Sequence, residues 1–190
     1  MAPTPHTQND AVKVPEAAPT SQPQVQVRSY RPEDHAEVVE MFKAGMLFYA
    51  ADEVKKIYTE YIAHSLEEDL ADIKGTYFAS GGHFWIATIQ ENDKEAIVGM
   101  VGLEGKPNQE GELRRMSIKS EYRRFGVGRV LVKHLEDWAK ENGMKKVWLS
   151  TGGVMVQARK FYLSIGYDHW KTEVYSQDPY FEVVYFEKAL

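Results

Sequence analysis

Apolar residues in the first part of the chain change from alternating to helical spacing. Val25 and Val27 alternate with polar residues, which predicts a short strand. Arg31-Pro32 follows, and proline is favoured in the first turn of a helix. The next segment, about 33–46, is predicted to be a helix with three apolar residues on one face, namely Val39, Phe42 and Met46.

A second helical pattern is longer. Apolar residues repeat at steps of three and four from Val54 to Tyr77, which predicts one continuous buried stripe. Ser80-Gly81-Gly82 then ends the pattern, because such residues favour chain reversal. The first part of the chain is therefore predicted to contain one strand and two helices.

Strands dominate the remainder. Residues 91–94 read Glu-Asn-Asp-Lys, a hairpin signal between two apolar runs. A helix over about 127–143 should end at Gly143, and another helix is predicted at 154–165. The predicted strands are 83–90, 95–105, 112–118, 145–150, 167–175 and 181–188.

The strand at 112–118 carries an irregular apolar spacing. Leu113, Met116 and Ile118 are separated by three and then by two residues. Because a regular strand keeps every second residue on one face, the step of three predicts a β-bulge. The alternative is a regular surface strand in which Arg114 and Arg115 are simply solvated.

Composition indicates one globular domain over 25–190. The chain has 190 residues and is 43% hydrophobic, enough to bury about 70% of its unfolded surface. Residues 1–24 are rich in Pro, Gln, Thr and Ala, and we expect a flexible tail there. This tail lacks the basic start and apolar run of a signal peptide.

Several classes of protein are disfavoured by what the sequence lacks. It has no cysteine, and its six histidines are scattered, so we expect no disulfide, thiol nucleophile or metal site. No stretch approaches the roughly 18 apolar residues of a spanning helix. We therefore expect a soluble cytoplasmic protein, with neither a membrane nor a nucleic acid as partner.

Residues 123–128, Arg-Arg-Phe-Gly-Val-Gly, are the strongest candidate binding motif. The glycines let the backbone approach a ligand, and the helix that follows directs unpaired N–H groups at the same point, which favours an anion. Between Arg114 and Lys133 the chain has seven basic residues and one acid, although its net charge is −5. The alternative is a strand–helix turn with surface arginines and no ligand.

The order of these motifs resembles the GNAT superfamily of acyl-CoA-dependent N-acetyltransferases. The resemblance rests on Arg-x-x-Gly-x-Gly at 123–128, the strand GELRRMSI at 111–118, and the helix ARKFYLSIGY at 158–167. A Rossmann site would need three glycines after the first strand. The resemblance implies an α/β (α+β) fold: a mixed, mostly antiparallel sheet of about seven strands, flanked by four helices, with splayed central strands.

It also implies acetyl-CoA as co-substrate, with no metal. The phosphates would lie on the glycine loop, and the pantetheine arm would pair with the strand backbone beyond the bulge. The implied cofactor-binding residues are Met116, Ser117, Ile118, Arg123, Arg124, Gly126, Val127, Gly128 and Arg129.

Two side chains are candidates for proton transfer. Tyr162 matches the family's tyrosine that protonates the departing thiolate, since a phenol with pKa near 10 stays protonated at neutral pH. Glu112 matches a carboxylate base present in some members. The alternatives are core packing for Tyr162, with Phe161 assigned to packing in either case, and an exposed strand-end acid for Glu112.

The chain departs from the family pattern in two places. An asparagine that often precedes the distal helix is replaced by Met155, so Gln157 or Thr151 would have to contact the cofactor arm. The sequence also resembles the branch that includes cysteine-conjugate acetyltransferases, which carry an apolar membrane segment after the first helix. Here charged residues follow Gly45–Ala51, so we do not expect membrane anchoring.

The predicted acceptor is the primary amine of a small molecule. Acidic residues over 52–72 would attract a cation, and bulky residues near the carboxyl terminus would cover the mouth of the cleft (Tyr167, Trp170, Tyr175, Tyr180 and Phe181). A protein lysine acetyltransferase and a non-catalytic acyl-CoA-binding module are the alternatives. The sequence leaves a homodimer open.

Overall fold

A computed structural model describes residues 24–190. The tail predicted at 1–24 lies outside the described residues, except for its last residue. The chain order is β1 (Gln26–Ser29), α1 (His35–Leu47), α2 (Lys55–Glu67), β2 (His83–Glu91), β3 (Lys94–Lys106), β4 (Glu110–Ile118), α3 (Val127–Glu141), β5 (Lys146–Gly152), α4 (Val156–Ser164), β6 (Asp168–Gln177) and β7 (Tyr180–Ala189).

The strands form a seven-stranded sheet in the order β1-β2-β3-β4-β5-β7-β6. Every neighbouring pair is antiparallel except β4 and β5, which are parallel. Apolar residues of α3 and α4 pack with strand residues in the largest core cluster, whereas residues of α1 and the segment after α2 pack in a second one. The mixed, mostly antiparallel fold with four α-helices is confirmed.

The predicted hairpin and the predicted end of α3 are also confirmed. Asn92 and Asp93 connect β2 to β3 with φ of 49° and 60°, the left-handed conformations of a two-residue hairpin turn. Gly143 has φ of 81° directly after the last turn of α3.

The prediction of one continuous helix over 54–77 is wrong. Helix α2 ends at Glu67, and Glu68 leaves helical geometry with φ of −100° and ψ of −109°. The chain then makes a short π-helical turn at Lys74–Phe78. The break turns Leu70 and Tyr77 into the core, where each is at most 1% exposed. Tertiary packing therefore overrides the helical period.

The buried face of α1 also differs from the expected one. Val38, Met41 and Phe42 are buried, whereas Val39 and Met46 are only partly buried. The predicted face and the observed face share Phe42, but the predicted one is rotated around the helix. Sequence spacing does not separate them, because Val39 and Met46 fit a helical stripe with Phe42 as well as Val38 and Met41 do.

A β-bulge interrupts β4, as its apolar spacing predicted. Ser117 pairs with Met100 and Arg114 pairs with Gly102, so two residues of β4 lie opposite one residue of β3. Arg115, inside the bulge, has a positive φ of 56°. Leu113, Met116 and Ile118 consequently pack on the same side of the sheet. Arg115 is only 8% exposed, so the interpretation as a solvated regular strand is wrong.

Candidate active site

The parallel strands β4 and β5 pair over only three positions, which opens a cleft in the middle of the sheet. Glu112 and Trp148 are the last register pair, and the two strands separate beyond them. At the paired end, Lys146 of β5 connects β4 to β7 through ion pairs. Its Nζ lies 3.1 Å from Glu110 on β4 and 3.2 Å from Glu187 on β7. The splayed central strands expected from the sequence are thus present.

A cavity of about 820 Å³ occupies this cleft. Its lining has two parts. The α3 side comprises the end of β4, the loop into α3 and Phe161 of α4; the α2 side comprises Met46, Tyr49, Ile57, Tyr58, Tyr61, Phe181 and Val183. The volume is typical of a site for a cofactor arm and a compact second ligand.

The loop into α3 has the geometry of an anion site. Arg124 and Gly126 both have φ of 79°, and α3 begins at Val127 directly after them. A Cβ at Gly126 would meet nothing within 4 Å, so this glycine is required by backbone conformation rather than by space. The first turn of α3 directs unpaired N–H groups and a positive dipole end into the cavity.

Gly128 is required for a different reason. A Cβ there would lie 3.1 Å from Ile118 and Phe161 and 3.2 Å from Met116. The helix start therefore packs closely against both β4 and α4. This close approach brings the N-terminus of α3 to the edge of β4 where the strand is free of β5.

The three arginines of this region line the cavity but have different surroundings. Arg123 lies over the ring of Phe48 at 4.6 Å and donates from Nε to the Ile118 carbonyl oxygen at 3.3 Å. Arg129 donates to the Ser164 hydroxyl at 3.0 Å. Arg124 makes no hydrogen bond or ion pair with any residue in 24–190, so its guanidinium is available to a ligand.

Met116, Ser117 and Ile118 all line the cavity along the free edge of β4. On one side their strand pairs with β3, through Met100–Ser117 and Gly99–Ile118. On the other side the register with β5 stops at Glu112, so in the described structure no strand pairs with this edge. An extended ligand can form the missing ladder hydrogen bonds there.

Tyr162 lies on the cavity wall but is only 5% exposed. Its ring packs against Tyr167 and Phe186 at centroid distances of 5.7 and 6.1 Å. Burial, with a contribution from nearby Tyr49, raises the pKa of Tyr162, so the hydroxyl is protonated at neutral pH. Phe161, which we assigned to packing, also lines the cavity.

Glu112 lies where the strands begin to separate, and its side chain is 16% exposed. Lys106 Nζ lies 2.9 Å from Glu112 and 2.7 Å from Glu104, so one lysine bridges two carboxylates. Of the two, only Glu112 lines the cavity. The interpretation of Glu112 as a simple exposed strand-end acid does not fit this partly buried, ion-paired position.

A buried ion pair supports the α2 side of the cavity. The Arg115 guanidinium donates to both carboxylate oxygens of Asp69, with the Nε contact at 2.8 Å, and to the Tyr61 hydroxyl at 2.6 Å. Tyr77 donates to the same carboxylate at 2.5 Å. Burial raises the pKa of Asp69, but the hydrogen bonds and charge of Arg115 outweigh it, so the net pKa is lowered.

Tyr58 provides an unpaired polar atom at the same side. It is 4% exposed, and its hydroxyl has no hydrogen-bond partner among the described residues. Burial, with smaller contributions from Tyr49 and Tyr61, raises the pKa of Tyr58 to about 12. A Cβ at Gly152, the last residue of β5, would lie 2.8 Å from this hydroxyl, so the Tyr58 ring packs closely against that strand.

The sequence predicted that the helical segment over 52–72 borders the acceptor, but it did not identify which of its residues line the cavity. Tyr58 and Tyr61 carry a helical period that we interpreted as core packing, and Asp69 was counted among the acids facing a cation. Of the seven acidic residues over 52–72, only Glu60 lines the cavity. Helical spacing identifies a buried face, but it does not show that the face borders a cavity.

The bulky residues expected to cover the cleft mouth have separate locations. Tyr175 and Phe181 line the cavity. Tyr167 is 1% exposed and belongs to the main core, whereas Trp170 and Tyr180 are exposed and do not line the cavity. Of the five residues expected to cover the cleft mouth, only Tyr175 and Phe181 therefore border the cavity.

Met155, at the expected asparagine position, lines the cavity together with Thr151 and Gln157. The Thr151 hydroxyl lies 3.2 Å from the sulfur of Met155. Residues 24–190 contain no group of three or more His, Asp or Glu side chains that could hold a metal. In the same residues, no helix has the length and apolarity needed to cross a membrane.

The comparisons with known proteins agree with this geometry. N-acetylaspartate synthetase from Xenopus tropicalis is 32% identical over 133 residues, covering 68% of this chain and 46% of the relative. Human N-acetyltransferase 8 is 33% identical over 121 residues, covering 60% of this chain and 51% of the relative. The chain therefore spans about half the length of these relatives.

A solved GNAT-family acetyltransferase from Staphylococcus aureus Mu50 shares the fold, with a TM-score of 0.68 and 22% identity over 88% of this chain and 99% of that one. The model of the Acetyltransferase (GNAT) family matches residues 49–167, which include the α3 loop, the bulged strand and α4. This match spans more than half of the sequence, and the chain belongs to the GNAT acetyltransferase family.

Proposed function

We propose that this protein transfers the acetyl group of acetyl-CoA to the primary amine of a small molecule. The observation that carries the proposal is the cavity at the β4–β5 separation, which the amino end of α3 borders on one side and Tyr162 on another. Membership of the GNAT family supports the same reaction class.

The residues present fit the cofactor. Pyrophosphate would lie on the backbone N–H groups of residues 124–129, with Arg124 free to pair with it and Arg123 and Arg129 close by. The amides of the arm would pair with the free β4 edge at Met116–Ile118, as an added strand does. Bound acetyl-CoA supplies an activated acetyl group and a thiolate leaving group.

Side chains of this protein would carry out the two proton transfers of the reaction, from the amine and to the departing sulfur. An alkyl ammonium with pKa near 10.4 must lose a proton before its nitrogen can attack, and a second proton leaves as the N–C bond forms and the C–S bond breaks. Tyr162, which is protonated at neutral pH, would donate to the departing sulfur. The balanced outcome is an N-acetyl amine, free CoA thiol and one proton released to solvent.

Glu112 would accept the amine proton, either directly or through water. Its position at the last β4–β5 register pair places it at the apex of the cleft. Lys106 Nζ lies 2.9 Å from Glu112 and compensates its charge. A water held by Glu112 could relay the proton from the amine to the carboxylate.

The names of the two relatives, an N-acetylaspartate synthetase and an N-acetyltransferase, are consistent with an amine-bearing small acceptor. The decisive experiment measures release of free thiol from acetyl-CoA with a panel of small amines, amino acids and lysine-rich peptides. We expect small amines to give the highest kcat/KM. Higher kcat/KM for peptides would instead support a protein lysine acetyltransferase, and acetyl-CoA binding without any thiol release would support a non-catalytic module.

A further inference from the structure

The α2 side of the cavity has a chemical character of its own. Its side chains form the edge of a third apolar cluster, Val54, Tyr58 and Phe181 with their neighbours, which is separate from the two main cores. Tyr58 and Phe181 meet edge to face at 5.7 Å. The walls that a second ligand would contact here are therefore mainly aromatic and aliphatic.

The two arginines that reach this side are already paired with carboxylates. Arg115 is paired with Asp69, and its side chain is 3% exposed. Arg114 is bonded to Glu104 at 2.6 Å. A carboxylate on the acceptor would have to compete with these internal anions. Glu60 also lines the cavity and disfavours a carboxylate, whereas Glu112 is compensated by Lys106 at 2.9 Å.

Aromatic faces and a hydroxyl are suited to an amine. Tyr49, Tyr58 and Phe181 present rings that attract an ammonium group. The buried Tyr58 hydroxyl has no partner within residues 24–190, and an amine N–H donated to its oxygen would satisfy it. Tyr49 packs against the cluster that contains Tyr58, and both line the same cavity as Tyr162.

We infer that the acceptor is a compact primary amine with an apolar, aryl-sized body and no carboxylate, and that Tyr58 positions its nitrogen. The body packs against Ile57, Phe181 and Val183, and the amine donates to the Tyr58 hydroxyl. This inference rests on the proposed function, since it names the class of amine for the same site. The bonds formed and broken are those of the proposed transfer.

The test compares phenethylamine with phenylalanine, which adds one carboxylate, and with putrescine, which lacks the aryl body. Binding to the protein saturated with free CoA is measured by calorimetry, and acetylation is measured by thiol release. We expect phenethylamine to bind at least about tenfold more tightly than either competitor, because the carboxylate of phenylalanine finds no unpaired arginine at this side and putrescine lacks the aryl body that packs against the apolar wall. Equal or tighter binding of phenylalanine or putrescine would overturn the inference.

Tyr58→Phe tests the hydroxyl, and Tyr167→Phe is the matched control. Both hydroxyls are buried without a partner in the described structure, but only Tyr58 lines the cavity. Tyr58→Phe should raise KM for phenethylamine about fivefold to tenfold and leave the acetyl-CoA Kd unchanged, whereas Tyr167→Phe should change neither. An unchanged KM in Tyr58→Phe would overturn the role of Tyr58.

Gly152→Ala adds a methyl group beside Tyr58 in the same pocket. Its methyl group would lie 2.8 Å from the Tyr58 hydroxyl and 3.0 Å from Phe181, so we expect weaker phenethylamine binding. Undiminished binding would contradict the assigned pocket. If phenethylamine binds the CoA complex selectively but no amine is acetylated, the acceptor pocket stands and the proposed transfer is wrong. If acetylation occurs with other amines only, the transfer stands and the inferred acceptor class is wrong.

Discussion

Arg115 and Asp69 form a buried ion pair that ties the bulge of β4 to the chain segment after α2. Their side chains are 3% and 4% exposed, and the two residues are 46 positions apart in sequence. The pair explains two irregularities together. The bulge places Arg115 on the α2 side of the sheet, and the end of α2 at Glu67 allows Asp69 to reach it.

Removing one member of this pair should strongly destabilise the fold. Asp69→Asn leaves the Arg115 charge buried without compensation, which typically lowers the free energy of unfolding by about 3–5 kcal/mol. Asp137→Asn is the matched control, because Asp137 pairs with Lys133 at 2.6 Å on the surface, where such pairs contribute about 0–1 kcal/mol. Urea unfolding measures both. A loss below about 1 kcal/mol in Asp69→Asn would contradict the role of the pair.

The same carboxylate predicts how stability changes in acid. The folded pKa of Asp69 is lowered, because the hydrogen bonds from Arg115 outweigh burial. Its contribution is therefore present above the ordinary carboxyl pKa of about 3.9 and is lost as the pH falls through the folded value. Unfolding free energies from pH 7 to pH 2 should fall more steeply in the parent than in Asp69→Asn. If the free energy of unfolding depends on pH in the same way in both proteins, Asp69 does not contribute to the loss of stability in acid.

Cofactor affinity should depend more on the backbone of the α3 loop than on its free arginine. Gly126→Val forces a β-branched residue to φ of 79°, so we expect at least about a hundredfold weaker binding of acetyl-CoA, against less than about tenfold for Arg124→Ala. Gly143→Val imposes the same strain at φ of 81° beyond the other end of α3 and should leave the Kd unchanged. Calorimetry measures the Kd of each variant for acetyl-CoA. If Gly126→Val binds acetyl-CoA as tightly as the parent protein, the loop has only a structural role.

Tyr162→Phe removes one hydroxyl and keeps the ring that packs against Tyr167 and Phe186. We expect kcat to fall about 10²–10⁴-fold, the usual contribution of a general acid, with little change in acetyl-CoA affinity. Steady-state kinetics measures kcat of the parent and of the variant with the amine that gives the highest kcat/KM. A loss of less than about threefold would rule out Tyr162 as the proton donor when thiol departure limits the rate.

Glu112 and Glu104 offer a matched test of the base, since Lys106 bonds to both and only Glu112 lines the cavity. In Glu112→Gln, kcat/KM should rise less steeply with pH, because the acceptor of the amine proton is gone. Glu104→Gln should retain the parent profile. If both variants show the parent pH dependence, the proton leaves by another route.

The sequence predicted those features of the fold that depend on local spacing. The alternation around 91–94 predicted the hairpin, and one step of three between Leu113 and Met116 predicted the bulge. The break after α2 was not predicted, because it depends on Arg115, a partner distant in sequence. The tyrosines of the α2 side were missed for a related reason: periodicity does not distinguish a core face from a cavity wall.

The short pairing of β4 with β5 has a mechanical consequence. The seven strands behave as two smaller sheets that share a three-position seam at Glu110–Glu112. Tyr162 of α4 packs against Phe186, and Tyr58 of α2 packs against Phe181, and both phenylalanines belong to β7. The free edge of β4, which would hold the cofactor arm, belongs to the other sheet, so the seam sets the separation between the arm and the two tyrosines. Substitutions in the core beneath it, such as at Leu113 or Val147, should therefore alter catalytic alignment before the protein loses its fold.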